Sequence, residues 1–188
     1  MAAEFSEEVG LPVEPDRLFL FSLVQALKPA RFLEIGTWRG GTSAVVKTVS
    51  PDTHVTTMNY PDPTIVNNPL SKDEIGRAFR RRNLPVELIW EDSGNLPRLG
   101  LRPFDMIFVD GDHREEPALR DMENCWNLLS PNGWLLLHDF VQPDLRPRTT
   151  EQRWVVRAYR TFAARHGSEF AEKFQFSGSW IAALRKHG

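Results

Sequence analysis

The stretch Arg31-Phe-Leu-Glu-Ile-Gly-Thr-Trp-Arg-Gly-Gly-Thr-Ser43 decides how the rest of the chain is read. Phe32 to Ile35 is a short apolar run of the kind that forms a buried strand. The run breaks at Gly36, Gly40 and Gly41 follow, and from Thr42 the residues suit a helix. A strand, a glycine turn and a helix N-terminus in succession make a cradle for a nucleotide-like ligand. Glycine lets a ligand approach the backbone closely, and the first turn of a helix offers unpaired N–H groups.

Spacing narrows the choice of ligand. A dinucleotide fingerprint reads G-x-G-x-x-G and sets a pyrophosphate on the helix N-terminus. Here the pattern is Glu34-x-Gly36-x-x-x-Gly40, with Trp38 and Arg39 in the loop. A carboxylate at the strand end suits a ligand carrying positive rather than negative charge. The plain alternative is a tight strand-to-helix turn that binds nothing, so the remainder of the chain has to decide.

Composition sets bounds. With 188 residues, 41% of them hydrophobic, one globular domain spanning 1–188 with a sizeable core is expected. A net charge of −2 gives no global attraction to nucleic acid or to an anionic membrane. The single cysteine, Cys125, excludes an internal disulfide framework and lies in a helical apolar pattern beside Trp126, so it reads as a buried structural thiol. Met1 to Gly10 is acidic and lacks the features of a signal peptide, and Leu18 to Leu27 is too short to span a bilayer. The expectation is a soluble, cytoplasmic protein.

Periodicity and punctuation give the element order. A helix is predicted from about Arg17 to Lys28, capped by Asp16 and stopped by Pro29. A second runs from Thr42 to Val49, and His54 to Met58 is the next strand. Ser71-Lys-Asp-Glu74 is a capping-box pattern predicted to open a helix to about Arg82. Its run of arginines reads as a solvated helix face. Val86 to Trp90 and Phe104 to Asp110 are further strands, followed by a helix from Glu115 to Leu129. Ser130-Pro-Asn-Gly133 reads as a turn, Trp134 to Leu137 as a strand, and Glu151 to His166 as a helix. Phe170 to Phe176 and Ser179 to Arg185 close the chain as a hairpin. Seven strands alternating with helices predict a Rossmann-like, doubly wound α/β sheet, mostly parallel, with one antiparallel strand from the C-terminal β-hairpin.

In such sheets ligands bind beyond the carboxyl ends of the strands. The polar residues there are Glu34 and Gly36, Asn59, Asp92 and Ser93, Asp110 and His113, and His138 and Asp139. Unpaired carboxylates are expensive to bury, so their recurrence at strand ends argues for a site.

Three blocks carry a resemblance: Phe32 to Gly40, Phe104 to His113, and Leu128 to Asp139. Together they resemble the class I S-adenosylmethionine (SAM)-dependent methyltransferases, in the small-molecule O-methyltransferase branch that includes macrolide-sugar O-methyltransferases and cephalosporin-hydroxylase-like proteins. The resemblance implies that Gly36, Thr37, Trp38 and Gly40 wrap the methionine moiety, with Glu34 holding the loop. It implies that Asn59 stands where an acidic residue normally binds the ribose, that Asp92 and Ser93 read the adenine, and that Asp110 borders the cofactor. His113, in a D-x-x-H arrangement with Asp110, is implied as general base. Asp110 and Asp139 match the carboxylates that hold a divalent metal, Mg or Mn, in metal-dependent relatives. The third ligand departs from the pattern: Phe140 replaces the usual asparagine, and His138 the acidic residue of the sugar-modifying branch. Histidine is a softer ligand and would favour Mn²⁺, Fe²⁺ or Zn²⁺ over Mg²⁺.

The reaction so implied is methyl transfer to a hydroxyl of a small molecule, a sugar or secondary metabolite, by a chain that leaves room for a homo-oligomer. Two rivals stand beside it: a nicotinamide-linked (NAD) oxidoreductase on the same architecture, and a binding module that keeps the fold without catalysis. Recognition of the acceptor is expected from the loops Tyr60 to Pro69 and Val141 to Thr150, the N-terminal helix or a neighbouring subunit.

Overall fold

The computed structural model describes residues 14–62, 64, 69–141, 147 and 149–188. Among the described residues seven strands form one sheet: β1 (Arg31–Ile35), β2 (His54–Asn59), β3 (Val86–Trp90), β4 (Phe104–Val109), β5 (Leu129–Leu137), β6 (Phe170–Gln175) and β7 (Ala182–Lys186). Their spatial order is β3-β2-β1-β4-β5-β7-β6. All neighbours pair in parallel except β7, which runs antiparallel to both β5 and β6. The order reverses between β1 and β4, which places a crevice above the ends of those two strands. The predicted architecture is the observed one, down to the single reversed strand.

Five α-helices among the described residues cover the sheet: α1 (Glu14–Leu27), α2 (Gly41–Val49), α3 (Arg77–Arg81), α4 (Glu115–Leu128) and α5 (Thr150–His166). The central strands are apolar on both faces because each face meets a helical layer. Phe32, Met106, Phe108 and Leu136 pack with α1 and α2, while Leu33, Ile107, Leu135 and Leu137 pack with α4 and α5. No helix among the described residues is long and apolar enough to cross a membrane.

Three local predictions are corrected. Asp16 does not cap the first helix: α1 begins at Glu14, and Asp16 sits buried within its first turn. The Ser71–Glu74 pair does form, with the Ser71 N–H and hydroxyl donating to Glu74 at 3.1 and 3.0 Å, but no α-helix starts there. Residues 72–76 are turns, and α3 begins only at Arg77 because Gly76 adopts φ 69° and donates its N–H to the Trp38 carbonyl. The predicted turn at 130–133 is absorbed into β5, where the register slips between Phe104↔Leu129 and Met106↔Trp134 and Asn132 takes φ 61°. Of the two predicted recognition loops, residues 63, 65–68, 142–146 and 148 lie outside the described residues, as does the acidic stretch 1–10.

Candidate functional site

The glycine turn after β1 is built under tight backbone constraint. Gly36 has φ 100°, and a Cβ there would lie 2.1 Å from the Asp110 carbonyl oxygen. Gly40, at φ 77°, faces Phe79 and the Gly76 backbone, where a Cβ would approach to 2.6 Å. The turn is held from outside by α3, since the Gly76 and Ala78 N–H groups donate to the Trp38 and Arg39 carbonyls at 2.9 and 3.0 Å. Trp38 itself is half-buried at φ 45°, with the Arg39 guanidinium 4.7 Å from its ring.

Glu34 anchors the turn from below. It is buried, and one of its oxygens accepts from the hydroxyls of Ser43 (2.6 Å) and Thr57 (2.8 Å). Because the Thr57 proton goes to Glu34, Thr37 is the donor in its 2.8 Å bond to Thr57. Turn, α2 and β2 are thus joined through one carboxyl. Burial pushes its pKa to about 8, against the pull of the Ser43 and Thr57 hydrogen bonds. The sign for stability follows. The folded value exceeds the ordinary 4.5, so this contribution is fully present below that value and is lost as pH rises towards about 8. Glu34→Gln is therefore expected to fold and to lose less stability than the parent between pH 5 and 8, measured by urea unfolding across that range.

A second feature lies one strand away. Asp110 follows β4, His113 precedes α4, and His138 and Asp139 follow β5. The His138 Nδ1 lies 2.8 Å from Asp110 Oδ1, and the His113 Nε2 lies 3.2 Å from the same oxygen. Asp139, turned inward at φ 52°, stands 3.5 Å from His113 and 3.9 Å from His138. On its far side His138 presents Nε2 to Asp16 of α1 at 3.5 Å. The result is a chain of alternating acid and imidazole, Asp16–His138–Asp110–His113–Asp139, running from the interior to the crevice.

Charge alternation decides the protonation of this chain. Burial pulls His138 down, but the Asp110 charge and the hydrogen bonds to Asp110 and Asp16 outweigh it and lift the pKa to about 10. Burial likewise opposes ionisation of Asp110, yet His138 and His113 hold it well below the usual carboxylate range. His113 is raised above 6.5, because the Asp110 hydrogen bond and the Asp110 and Asp139 charges overcome its desolvation. Asp139 is raised, chiefly by burial.

The remaining expected residues fall around the same crevice. Asn59 ends β2 and donates its amide to the Tyr60 carbonyl at 3.0 Å. Asp92 caps a 3₁₀ turn at Ser93–Arg98, accepting from the Gly94 N–H at 2.7 Å and from Arg120 at 3.1 Å. Phe140 is buried edge-on against Tyr159, with ring centroids 4.8 Å apart, so that position supplies no polar ligand.

Sequence reasoning missed two buried carboxylates. Asp121 lies under the Ser93 and Gly111 turns, takes a hydrogen bond from Ser93, and is raised to about 6 by burial. It falls on the buried stripe of α4 with Ala118, Met122 and Cys125, and that spacing could have exposed it. Asp16 read as a helix cap; nothing local marks it, because its partners Ser179 and Trp180 are 163 and 164 positions away.

The comparisons with known proteins bear on this arrangement. A family described as "Methyltransferase domain" matches residues 33–140, more than half of the chain, from within β1 to the residue after Asp139. The chain belongs to the methyltransferase-domain family. No curated protein sequence matches this methyltransferase-domain chain significantly. Solved structures share its fold at low identity. A Podospora anserina methyltransferase bound to S-adenosylhomocysteine (SAH) is 20% identical with TM-score 0.67, covering 90% of this chain and 77% of that one. A Bacillus cereus O-methyltransferase in complex with SAH is 21% identical with TM-score 0.67, covering 96% and 86%. The Streptomyces achromogenes O-methyltransferase TomG, involved in tomaymycin synthesis and bound to SAM, is 20% identical with TM-score 0.66, covering 93% and 80%. The match to the family ranks the methyltransferase reading above the oxidoreductase rival.

Proposed function

We propose that the chain transfers the methyl group of SAM to a hydroxyl of a small molecule, a sugar or a secondary metabolite. The observation that carries this reading is the adjacency of a glycine cradle too tight for any side chain and an acid–imidazole cluster on the neighbouring strand. Gly36 touches the Asp110 backbone, so a cofactor lying on the turn ends beside His113. Family membership and the SAM- and SAH-bound structures of the same fold support the cofactor.

In this reading Gly36, Thr37, Trp38 and Gly40 wrap the methionine part, and Glu34 keeps the turn in place. Asn59 offers its amide to the ribose hydroxyls, Asp92 and Ser93 border the adenine, and Asp110 flanks the cofactor. The acceptor oxygen bonds to the methyl carbon as the carbon–sulfur bond breaks, and the cofactor leaves as SAH. The acceptor proton passes to His113. Asp110 accepts from its Nε2–H, which leaves the other ring nitrogen as base, and the Asp110 and Asp139 charges stabilise the imidazolium that forms. Most of the remaining rate enhancement is positional, from aligning oxygen, carbon and sulfur.

The donor set also fits a divalent ion. Asp110, His113 and His138 each offer an atom, all within 4.8 Å of one another. Asp139, expected as a ligand, stands just beyond this trio. Two imidazoles and one carboxylate suit a borderline transition-metal ion better than Mg²⁺, which prefers oxygen. Those three residues would hold it, and when bound it supplies Lewis acidity that eases loss of the acceptor proton.

Thermal unfolding tests the cofactor. SAH at about a hundred times its dissociation constant should stabilise by roughly 2.7 kcal/mol. For a domain of this size the midpoint should rise by roughly 5–10 °C, while NAD should leave it unchanged. A shift with NAD and none with SAH would remove the methyl-transfer reading.

A further inference from the structure

The methyltransferase match begins at Leu33, whereas Asp16 belongs to a helix outside it. Asp16 is nevertheless fully buried, and its Oδ1 is fixed by the Ser179 hydroxyl (2.6 Å) and the Trp180 N–H (2.5 Å). This pins the carboxylate plane and leaves Oδ2 facing the His138 Nε2 at 3.5 Å. Among the described residues neither of these two buried atoms has a hydrogen-bond partner, and the 3.5 Å ion pair sets each facing the other. The opposite ring nitrogen of His138 points at Asp110 and lies within reach of His113. A carboxylate behind a histidine, with the far nitrogen turned into a donor cluster, is the arrangement that fixes ring orientation and tautomer at metal sites.

We propose that Asp16 is the positioning residue for a divalent-ion site formed by Asp110, His113 and His138, holding His138 with its Nε2–H on α1 and its Nδ1 free to donate. The inference rests on the ion-binding part of the reading above and is independent of methyl transfer. Its chemistry is specific. A carboxylate can only accept from Nε2–H, so the lone pair of neutral His138 must sit on Nδ1, inside the cluster. An ion entering the cluster takes the place of the Nδ1 proton and leaves the Nε2 proton on Asp16. Asparagine at position 16 keeps an oxygen for Ser179 and Trp180 but turns an N–H₂ toward Nε2. That donor forces Nε2 to accept, puts the proton on Nδ1, and removes His138 from the donor set.

The test is titration of the full chain with Zn²⁺, Mn²⁺ and Mg²⁺ alone, by calorimetry, for the parent and for Asp16→Asn. The parent should bind Zn²⁺ and Mn²⁺ in preference to Mg²⁺, and Asp16→Asn should weaken both by about 10–100-fold. Ser179→Ala, which loosens the Asp16 anchor while keeping its charge, should fall between the two. Nitrogen-15 spectra of the His138 ring should place the proton on Nε2 in the Zn²⁺-loaded parent and on Nδ1 in Asp16→Asn. SAH affinity, measured alongside, should be equal in all three and reports separately on folding and on the methyl-transfer reading. Equal ion affinities for parent and Asp16→Asn would overturn the proposal, as would a parent that binds none of the three ions while still binding SAH.

Discussion

Replacing His113 with alanine is expected to lower kcat by about 10²–10⁴-fold, the usual contribution of a positioned base, with SAH affinity unchanged. The reason lies in the geometry. His113 is the outermost imidazole of the acid–imidazole chain, a quarter of its side chain reaches solvent, and two carboxylates stand within 3.5 Å of its Nε2. Those same carboxylates set the pH dependence. They lift the His113 pKa above 6.5 despite its burial, so the neutral, proton-accepting form gains population only above that value. The parent's kcat should therefore rise with pH through a midpoint above 6.5, and His113→Ala should lack that rise. Methyl transfer from labelled cofactor, followed from pH 6 to 9 at saturating acceptor, makes the measurement. A full-rate His113→Ala enzyme with the parental profile would remove His113 from the reaction.

Gly36→Ala carries the largest expected cost in stability. The added methyl would sit 2.1 Å from the Asp110 carbonyl oxygen, a backbone atom that cannot swing aside, and φ 100° is strained for any L side chain. Backbone strain and overpacking together should cost roughly 2–6 kcal/mol, a large share of the 5–15 kcal/mol typical of a whole domain. Because the displaced partner is the strand that carries Asp110, SAH binding should be lost as well. Gly40→Ala makes an informative comparison. Its added methyl would meet the Phe79 ring at 2.6 Å and the Gly76 Cα at 2.7 Å, a milder overlap than the 2.1 Å to a backbone oxygen at Gly36 and one partly relieved by a movable ring. Urea unfolding should rank the parent above Gly40→Ala and Gly40→Ala above Gly36→Ala; the reverse order of the two variants would contradict the packing argument.

The contrast between these sites and others shows what the sequence carried. Glu34, Gly36 and Gly40 were legible because their constraint is local: a strand, a turn and a helix start within ten residues, each with its own residue preference. Asp110, His113, His138 and Asp139 could be grouped because parallel strands deliver their C-terminal ends to one edge. The mostly parallel sheet followed from alternation of strand and helix. What failed was set by contacts between distant segments. Gly76 delayed the predicted helix to Arg77 because its N–H is drawn to the glycine turn, which no capping pattern reports. The turn at 130–133 disappeared because β4 offers a partner strand across the irregularity. Asp16 looked like a cap because Asp before an apolar run usually is one, and only the fold brings Ser179 and His138 to it.

That last contact has a consequence for how the molecule comes into being. The strand beside β5 is β7, the last of the described strands, and the residues just before it are those that hold Asp16. On a ribosome the first helix, the glycine turn and both histidines emerge long before Ser179 and Trp180. Until then Asp16 lacks the partners that fix its orientation and β5 has an open edge, so a nascent chain can shape its glycine turn before its acid–imidazole chain. The acid–imidazole chain is therefore complete only after Ser179 and Trp180 have joined Asp16, and a chain cut short before Ser179 would keep the glycine turn while leaving Asp16 without its two Oδ1 partners.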